Sequence, residues 1–256
     1  MTANNNKLDI ADKVCYFAYG SNMRSSVMER RGMKLFAVKR LVVHSHVLTF
    51  DIFGVPYNEP AMASIAERGA VAEFDRGTES PPAVHGVGYV LSAGDFEKLL
   101  ISEGAGTAYL EVELEAHLLA GDGEGADEST DPIPVRTLVG RYPFRPNALP
   151  SQRYLRLLID GAEEHKLPQS YQRYLATLPS YAKSLSKVES FGARLFLGFW
   201  MPVIVWTMTR IKTGARSTGS DRSNGSGLVV WLLFNAVWLH YDFFHCWIWG
   251  HGGGRR

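Results

Sequence analysis

Cysteine is almost missing from this 256-residue chain. Cys15 and Cys246 lie far apart in unlike surroundings, with no C-x-x-C and no Cys/His cluster at metal-ligand spacing. That excludes a disulfide framework and a structural zinc, and it points to a reducing compartment. Surplus charge is missing too. Lys and Arg total 27 against 26 Asp and Glu, a formal +1, and no basic stripe alternates with aromatics, so nucleic acid is not an expected partner. Residues 1–12 are polar and Asn-rich, with neither the apolar core of a secretion signal nor an Arg-rich transit pattern, and read as a disordered N-terminus. The acidic, Gly-rich residues 121–131 lack calcium-ligand spacing and read as a mobile surface loop. His44 and His46 would share one strand face, but no third ligand has a claim. No metal and no cofactor is therefore expected.

What is present begins with Val14-Cys15-Tyr16-Phe17-Ala18-Tyr19-Gly20-Ser21-Asn22-Met23, an apolar run that stops at a Gly-Ser-Asn turn. Its aromatic and β-branched residues read as a buried strand. Gly20 is expected to take a φ closed to other residues, Ser21 or Asn22 to cap a helix over residues 23–31, and Gly32 to stop it. A strand-turn-helix unit leaves backbone N–H groups unpaired at the helix start, a concavity suited to a phosphate, a carboxylate or an oxyanion. Ser21 lacks the G-x-S-x-G context of a nucleophile and has no His locally poised to activate it.

Further strands are expected at 36–43, 46–53 (ended by Gly54-Val55-Pro56), 61–66 and 83–91, the last with Gly86 and Gly88 allowing close backbone approach. Ser92 with Asp95 resembles a cap opening a helix over 95–100. Glu103 then stands at the mouth of the glycine-rich loop 104–107, ahead of a strand over 109–118. A carboxylate there can project into a cleft, where flanking apolar atoms would desolvate it and raise its pKa toward the range of a general acid or base. Glu111, Glu113 and Glu115 alternate as the wet face of that strand. Residues 134–139 make another strand, Ser151 starts a helix to about 164, and Pro168 opens a short helix before Pro179.

The last third is different. Residues 191–210 and 228–249 are long apolar stretches joined by a Gly/Ser/Arg-rich linker, the second holding four of the six tryptophans. They read as a membrane hairpin, or as one spanning helix followed by an interfacial one; the soluble alternative packs both on the core as buried helices. Basic residues on the two sides nearly balance and fix no orientation. Asp242 and the nearby histidines suit anchoring at a membrane edge.

Taken together, Tyr16-Phe17-Ala18-Tyr19-Gly20-Ser21-Asn22, then Glu103-Gly104 and Tyr109, then Pro150-Ser151-Gln152-Arg153-Tyr154 and Leu167-Pro168-Gln169-Ser170-Tyr171-Gln172 closely resemble the γ-glutamylcyclotransferase family. The likeness covers about 14–179. It implies an α+β fold with a small mixed barrel-like sheet and flanking helices, and release of 5-oxoproline from a γ-glutamyl amide. By matching positions it implies Glu103 as acid/base and the backbone of Tyr16, Phe17, Ala18, Tyr19, Gly20 and Ser21, with Asn22, as the loop holding the glutamyl group. Tyr154 would contact substrate and Tyr109 would stand beside the site. The motif reads Y-G-S-N-M and differs from the glutathione-dedicated branch. The apolar extension is similar to that of fungal cyclotransferase-like enzymes in sulfur-containing diketopiperazine (gliotoxin-type) pathways. The expected organisation is a catalytic unit over 13–182 and an extension over 183–256 that associates with a membrane, the catalytic unit facing the cytosol. All of this requires the carboxyl of Glu103 to reach the pocket lip after Tyr19.

Overall fold

A computed structural model describes residues 13–71, 81–103, 109–120, 127–144, 147–184, 186–218 and 224–253. Strand β1 (Lys13–Ala18) runs antiparallel to β5 (Val84–Ser92), with Phe17 opposite Gly88, and parallel to β8 (Ile133–Gly140) through Tyr16 and Arg136. With β2 (Ala37–Val43) and β6 (Tyr109–Ala120) the order is β2-β5-β1-β8-β6, and a β2–β6 pairing at Leu41 and Leu118 closes five strands into a barrel. Glycines make the closure possible. A Cβ on Gly86 would lie 2.4 Å from the Ala18 carbonyl oxygen, and one on Gly88 2.5 Å from Leu41 Cδ1. Phe17, Leu41, Tyr89 and Leu91 are fully buried in the core.

A separate hairpin of β3 (His46–Val55) and β4 (Glu59–Glu67) lies beside the barrel. Strand β3 runs through the expected break at Gly54 and turns only after Val55. Gly54 faces its partner strand so closely that a Cβ would fall 1.8 Å from the Glu59 carbonyl oxygen. The turn contains Tyr57 at φ 65°, a left-handed conformation uncommon for a residue other than glycine. His44 and His46 do not share a strand face: His44 sits in the turn after β2 and pairs with Glu128 at 2.7 Å, whereas His46 begins β3. Of the acidic segment, 121–126 lie outside the described residues; β7 (Asp127–Glu128) pairs with the end of β6 and is no loop.

Helix α1 (Ser25–Arg30) follows β1, α2 (Arg68–Val71) follows β4, and α3 (Ala93–Ser102) packs on β1 and β5. The Ser92 hydroxyl caps α3 by accepting from the Asp95 N–H at 3.1 Å, as its spacing predicts. Ser151 likewise caps α4 (Gln152–Glu164) through the Tyr154 N–H, and α5 (Gln169–Thr177) follows.

The apolar extension forms α6 (Lys187–Thr218) and α7 (Asn224–His240), then a π-helical turn over Tyr241–His245 and α8 (Cys246–Trp249). It is neither detached nor fully buried. Trp238 is completely buried and donates its indole N–H to the Gly54 carbonyl at 3.1 Å. Tyr57 stacks edge-on against Phe196 and Tyr241, its N–H donates to the Gly252 carbonyl, and its hydroxyl donates to the Gly250 carbonyl. The tail of the chain thus holds Tyr57 in its strained turn.

Candidate active site

Where β1 ends, the chain enters a single 3-10 turn, Ser21–Met23, before α1. Neither Ser21 nor Asn22 caps the helix: the residue ahead of α1 is Arg24, without a side-chain cap. Asn22 is instead engaged across the site. Its Nδ2 donates to the Tyr16 hydroxyl at 3.0 Å and to Glu103 Oε1 at 2.8 Å, joining residues 81 apart in sequence. A carboxylate only accepts, so the amide nitrogen faces it and Oδ1 turns away. That oxygen is buried and has no hydrogen-bond partner among the described residues.

Gly20 also departs from expectation. Its φ of −110° lies outside the left-handed region. What it supplies is space, because a Cβ would stand 3.3 Å from the Tyr154 hydroxyl and 3.5 Å from Ala63 Cβ. The far side of the turn is fixed from below: the Tyr89 hydroxyl donates to the Met23 carbonyl at 2.6 Å, and Arg24 pairs with Asp160 of α4 at 3.0 Å. Helix α4 leans directly on the turn at Gly161, where a Cβ would come within 2.8 Å of Met23 Cβ.

Glu103 follows the last turn of α3, its N–H bonded to the Leu99 carbonyl. Its carboxylate, mostly buried, meets a cation. Arg31, just past α1, places a guanidinium nitrogen 2.7 Å from Oε1 and another on the Ser102 hydroxyl. One carboxylate oxygen is therefore gripped by an amide and a guanidinium together.

Tyr16, Tyr19, Gly20, Ser21, Asn22, Glu103, Tyr109 and Tyr154 line one cleft of about 340 Å³ of empty space, open mouth included, with Ala63 and Leu138 completing it. Phe17 and Ala18, expected to serve the glutamyl loop through their backbone, contribute no lining side chain. The Phe17 ring packs beneath Gly86, and its carbonyl accepts from the Thr137 hydroxyl at 2.7 Å. Tyr19 donates to the Leu138 carbonyl. The Tyr154 oxygen accepts from the Ala63 N–H at 3.1 Å. Burial raises all four phenols. It pushes Tyr154 to about 12, opposed by the backbone bond from Ala63, and lifts Tyr16, Tyr19 and Tyr109 well above the ordinary phenol range, with the Glu103 charge adding to the effect on Tyr16, Tyr109 and Tyr154. The wall is thus four neutral hydroxyls around one carboxylate.

Arg31, Ala63 and Leu138 escape a reading of the sequence. Arg31 reads as the basic end of a helix, while Ala63 and Leu138 have no reactive group and enter through strand register. Loop 104–108 lies outside the described residues.

The chain has known relatives. Residues 186–248 match the AclK C-terminal domain family. The chain is 39% identical over 249 residues to the γ-glutamyl cyclotransferase gliK of Aspergillus fumigatus, covering 95% of this chain and 90% of the relative. It is 33% identical to the γ-glutamyl cyclotransferase aclK of Aspergillus oryzae, over 94% and 90% of the two chains. A solved γ-glutamyl cyclotransferase structure overlays with a TM-score of 0.51 at 22% identity, covering 69% of this chain and 95% of that one, which shows a shared fold. With this likeness running over nine-tenths or more of each chain, the chain belongs to the γ-glutamylcyclotransferase family.

Proposed function

We propose that the protein cleaves a γ-glutamyl amide by attack of the substrate's own α-amine on its γ-carbonyl carbon. The ring C–N bond forms as the amide C–N bond breaks, and 5-oxoproline and the free amine leave. The nucleophile is already tethered, so the protein need supply neither Ser, Cys nor metal. Glu103 takes a proton from the α-ammonium and returns it to the leaving amine. With Oε1 gripped by Asn22 and Arg31, Oε2 is the oxygen that carries the proton. Backbone N–H groups at Gly20, Ser21 and Asn22 receive the α-carboxylate or the developing oxyanion, the latter contributing about 3 kcal/mol per donor. Tyr109 and Tyr154 keep their protons and offer hydroxyls to the glutamyl group.

The observation that carries this reading is the 2.8 Å contact between Asn22 and Glu103, which sets the carboxylate at the lip of the turn. The cleft is small and open at its mouth. It suits a glutamyl head whose leaving part projects from the mouth, which fits γ-glutamyl amino acids, glutathione and bulky glutathione conjugates, including those of gliotoxin-type secondary metabolism. Incubating the full chain with γ-glutamyl-alanine, glutathione and an S-alkyl glutathione, then measuring 5-oxoproline, tests it. Product from at least one is expected. None from any would favour a silent γ-glutamyl-binding or scaffolding protein.

Arg31 acts here as a positioning residue. Arg31→Gln should lower kcat roughly tenfold or more with little change in KM and alter the pH dependence of kcat, with partial recovery in Arg31→Lys, which restores the charge without the fork. An unchanged pH profile would assign Arg31 to packing alone.

We further place the enzyme at a membrane through its 183–256 extension, with the 13–182 unit toward the cytosol. Two described helical segments, Lys187–Ile211 and Gly225–Trp249, are long and apolar enough to cross a bilayer, and this supports the reading.

A further inference from the structure

Resting on that membrane reading, we propose that the helix pair does not cross the bilayer. It lies in the plane of one leaflet, seated on an anionic lipid surface. Each helix has two faces of different destiny. On α6 the outward stripe is Phe191, Leu195, Phe199 and Trp206, all exposed; on the returning arm it is Leu232, Leu239, Phe243 and Trp247, also exposed. His240 joins the two, its ring lying 6.4 Å from Phe199 and 5.8 Å from Phe244. A helix facing water is polar on such a face, so these stripes need cover.

The inward faces argue against a crossing. Phe234 meets Phe53 at 6.0 Å, Trp238 is sealed over Gly54, the partly exposed Trp231 still reaches Tyr142 at 6.5 Å, and the buried Tyr241 hydroxyl accepts from the Gly252 N–H as the tail returns to Tyr57. From Trp231 to Trp249 is about 27 Å of helix at ~1.5 Å per residue. That nearly equals the ~30 Å hydrocarbon core. Standing the pair upright would drag the adjoining catalytic unit, with its charged strands, into lipid at a cost no exposed stripe offsets. Laid flat, the same stripes enter ~5–10 Å deep and the enzyme stays in water.

Charge selects the surface. Lys187, Arg194 and Arg210 are the exposed charged side chains described on α6, and the Arg210 guanidinium sits 5.5 Å from the Trp206 ring centroid, a pairing suited to headgroup depth. Basic side chains at that depth favour anionic lipid.

The test uses the full chain with Cys15 and Cys246 replaced by Ser and Ser220→Cys in the linker between α6 and α7. It is mixed with phosphatidylcholine vesicles with and without phosphatidylserine and treated with a membrane-impermeant maleimide. Flotation at least tenfold greater with phosphatidylserine, together with equal labelling before and after detergent, is the expected result. Flotation with labelling only after detergent would overturn the in-plane arrangement and leave the membrane reading standing. No flotation, with a dimer by light scattering, would overturn both and assign the stripes to a second copy. Phe243→Ser with Trp247→Ser, both at exposed sites, should lose flotation at least tenfold while turnover of γ-glutamyl-alanine is unchanged; undiminished flotation would also overturn the proposal.

Discussion

Glu103→Gln should lower 5-oxoproline release by roughly a hundred- to ten-thousandfold, the range over which a positioned acid or base contributes. In barrier terms that is about 3–5 kcal/mol. Glutamine is the informative replacement because it keeps the shape and leaves Arg31 an oxygen to bind. Glu103→Ala would instead strand a guanidinium beside the cleft and confuse electrostatics with proton transfer. Substrate affinity should survive in the glutamine variant, since the donors for the glutamyl group belong to the turn and the tyrosines. The measurement is single-turnover product formation beside equilibrium binding of the same substrate. Release at the parent rate would remove Glu103 from the chemistry and with it the proposed mechanism.

Trp238→Ala should be the most damaging single change away from the cleft. The indole is completely buried, lies 5.2 Å from the Phe144 ring and 5.4 Å from that of Tyr241, and holds the Gly54 carbonyl. Deleting a buried indole costs about 3–5 kcal/mol, cavity included. For a chain of this size that lowers the melting temperature by roughly 10 °C. Calorimetry on the detergent-free protein would read it. A shift within a degree or two would mean that the extension packs elsewhere and that the catalytic unit stands without it.

Much of this was legible in the order of residues, for reasons that differ from place to place. The abrupt stop at Gly20-Ser21-Asn22 and the helix end at Glu103 are written in composition, and Ser92 and Ser151 cap the helices their spacing predicts. Partnership is less legible. Asn22 has the chemistry of a cap, yet its amide is claimed by Tyr16 and Glu103, a competition decided by the packing of α3 against β1. Arg31 could not be singled out, because a basic residue closing a helix is common for its own sake. In the extension the obstacle is uniformity. A segment apolar on every side does not reveal which side faces protein, so Trp238 and Trp247, nine residues apart in one tryptophan-rich stretch, end as one of the most enclosed and one of the most exposed side chains described.

Tyr57 gives the extension a route to the chemistry. Six residues beyond that turn, the same hairpin brings the Ala63 N–H to the Tyr154 hydroxyl. A tyrosine backbone that would relax if released is kept in place by the returning tail, so loosening the tail slackens the hairpin and moves one wall of the cleft. Shortening the far end of the chain should therefore register first as blunted turnover, well before the barrel itself gives way.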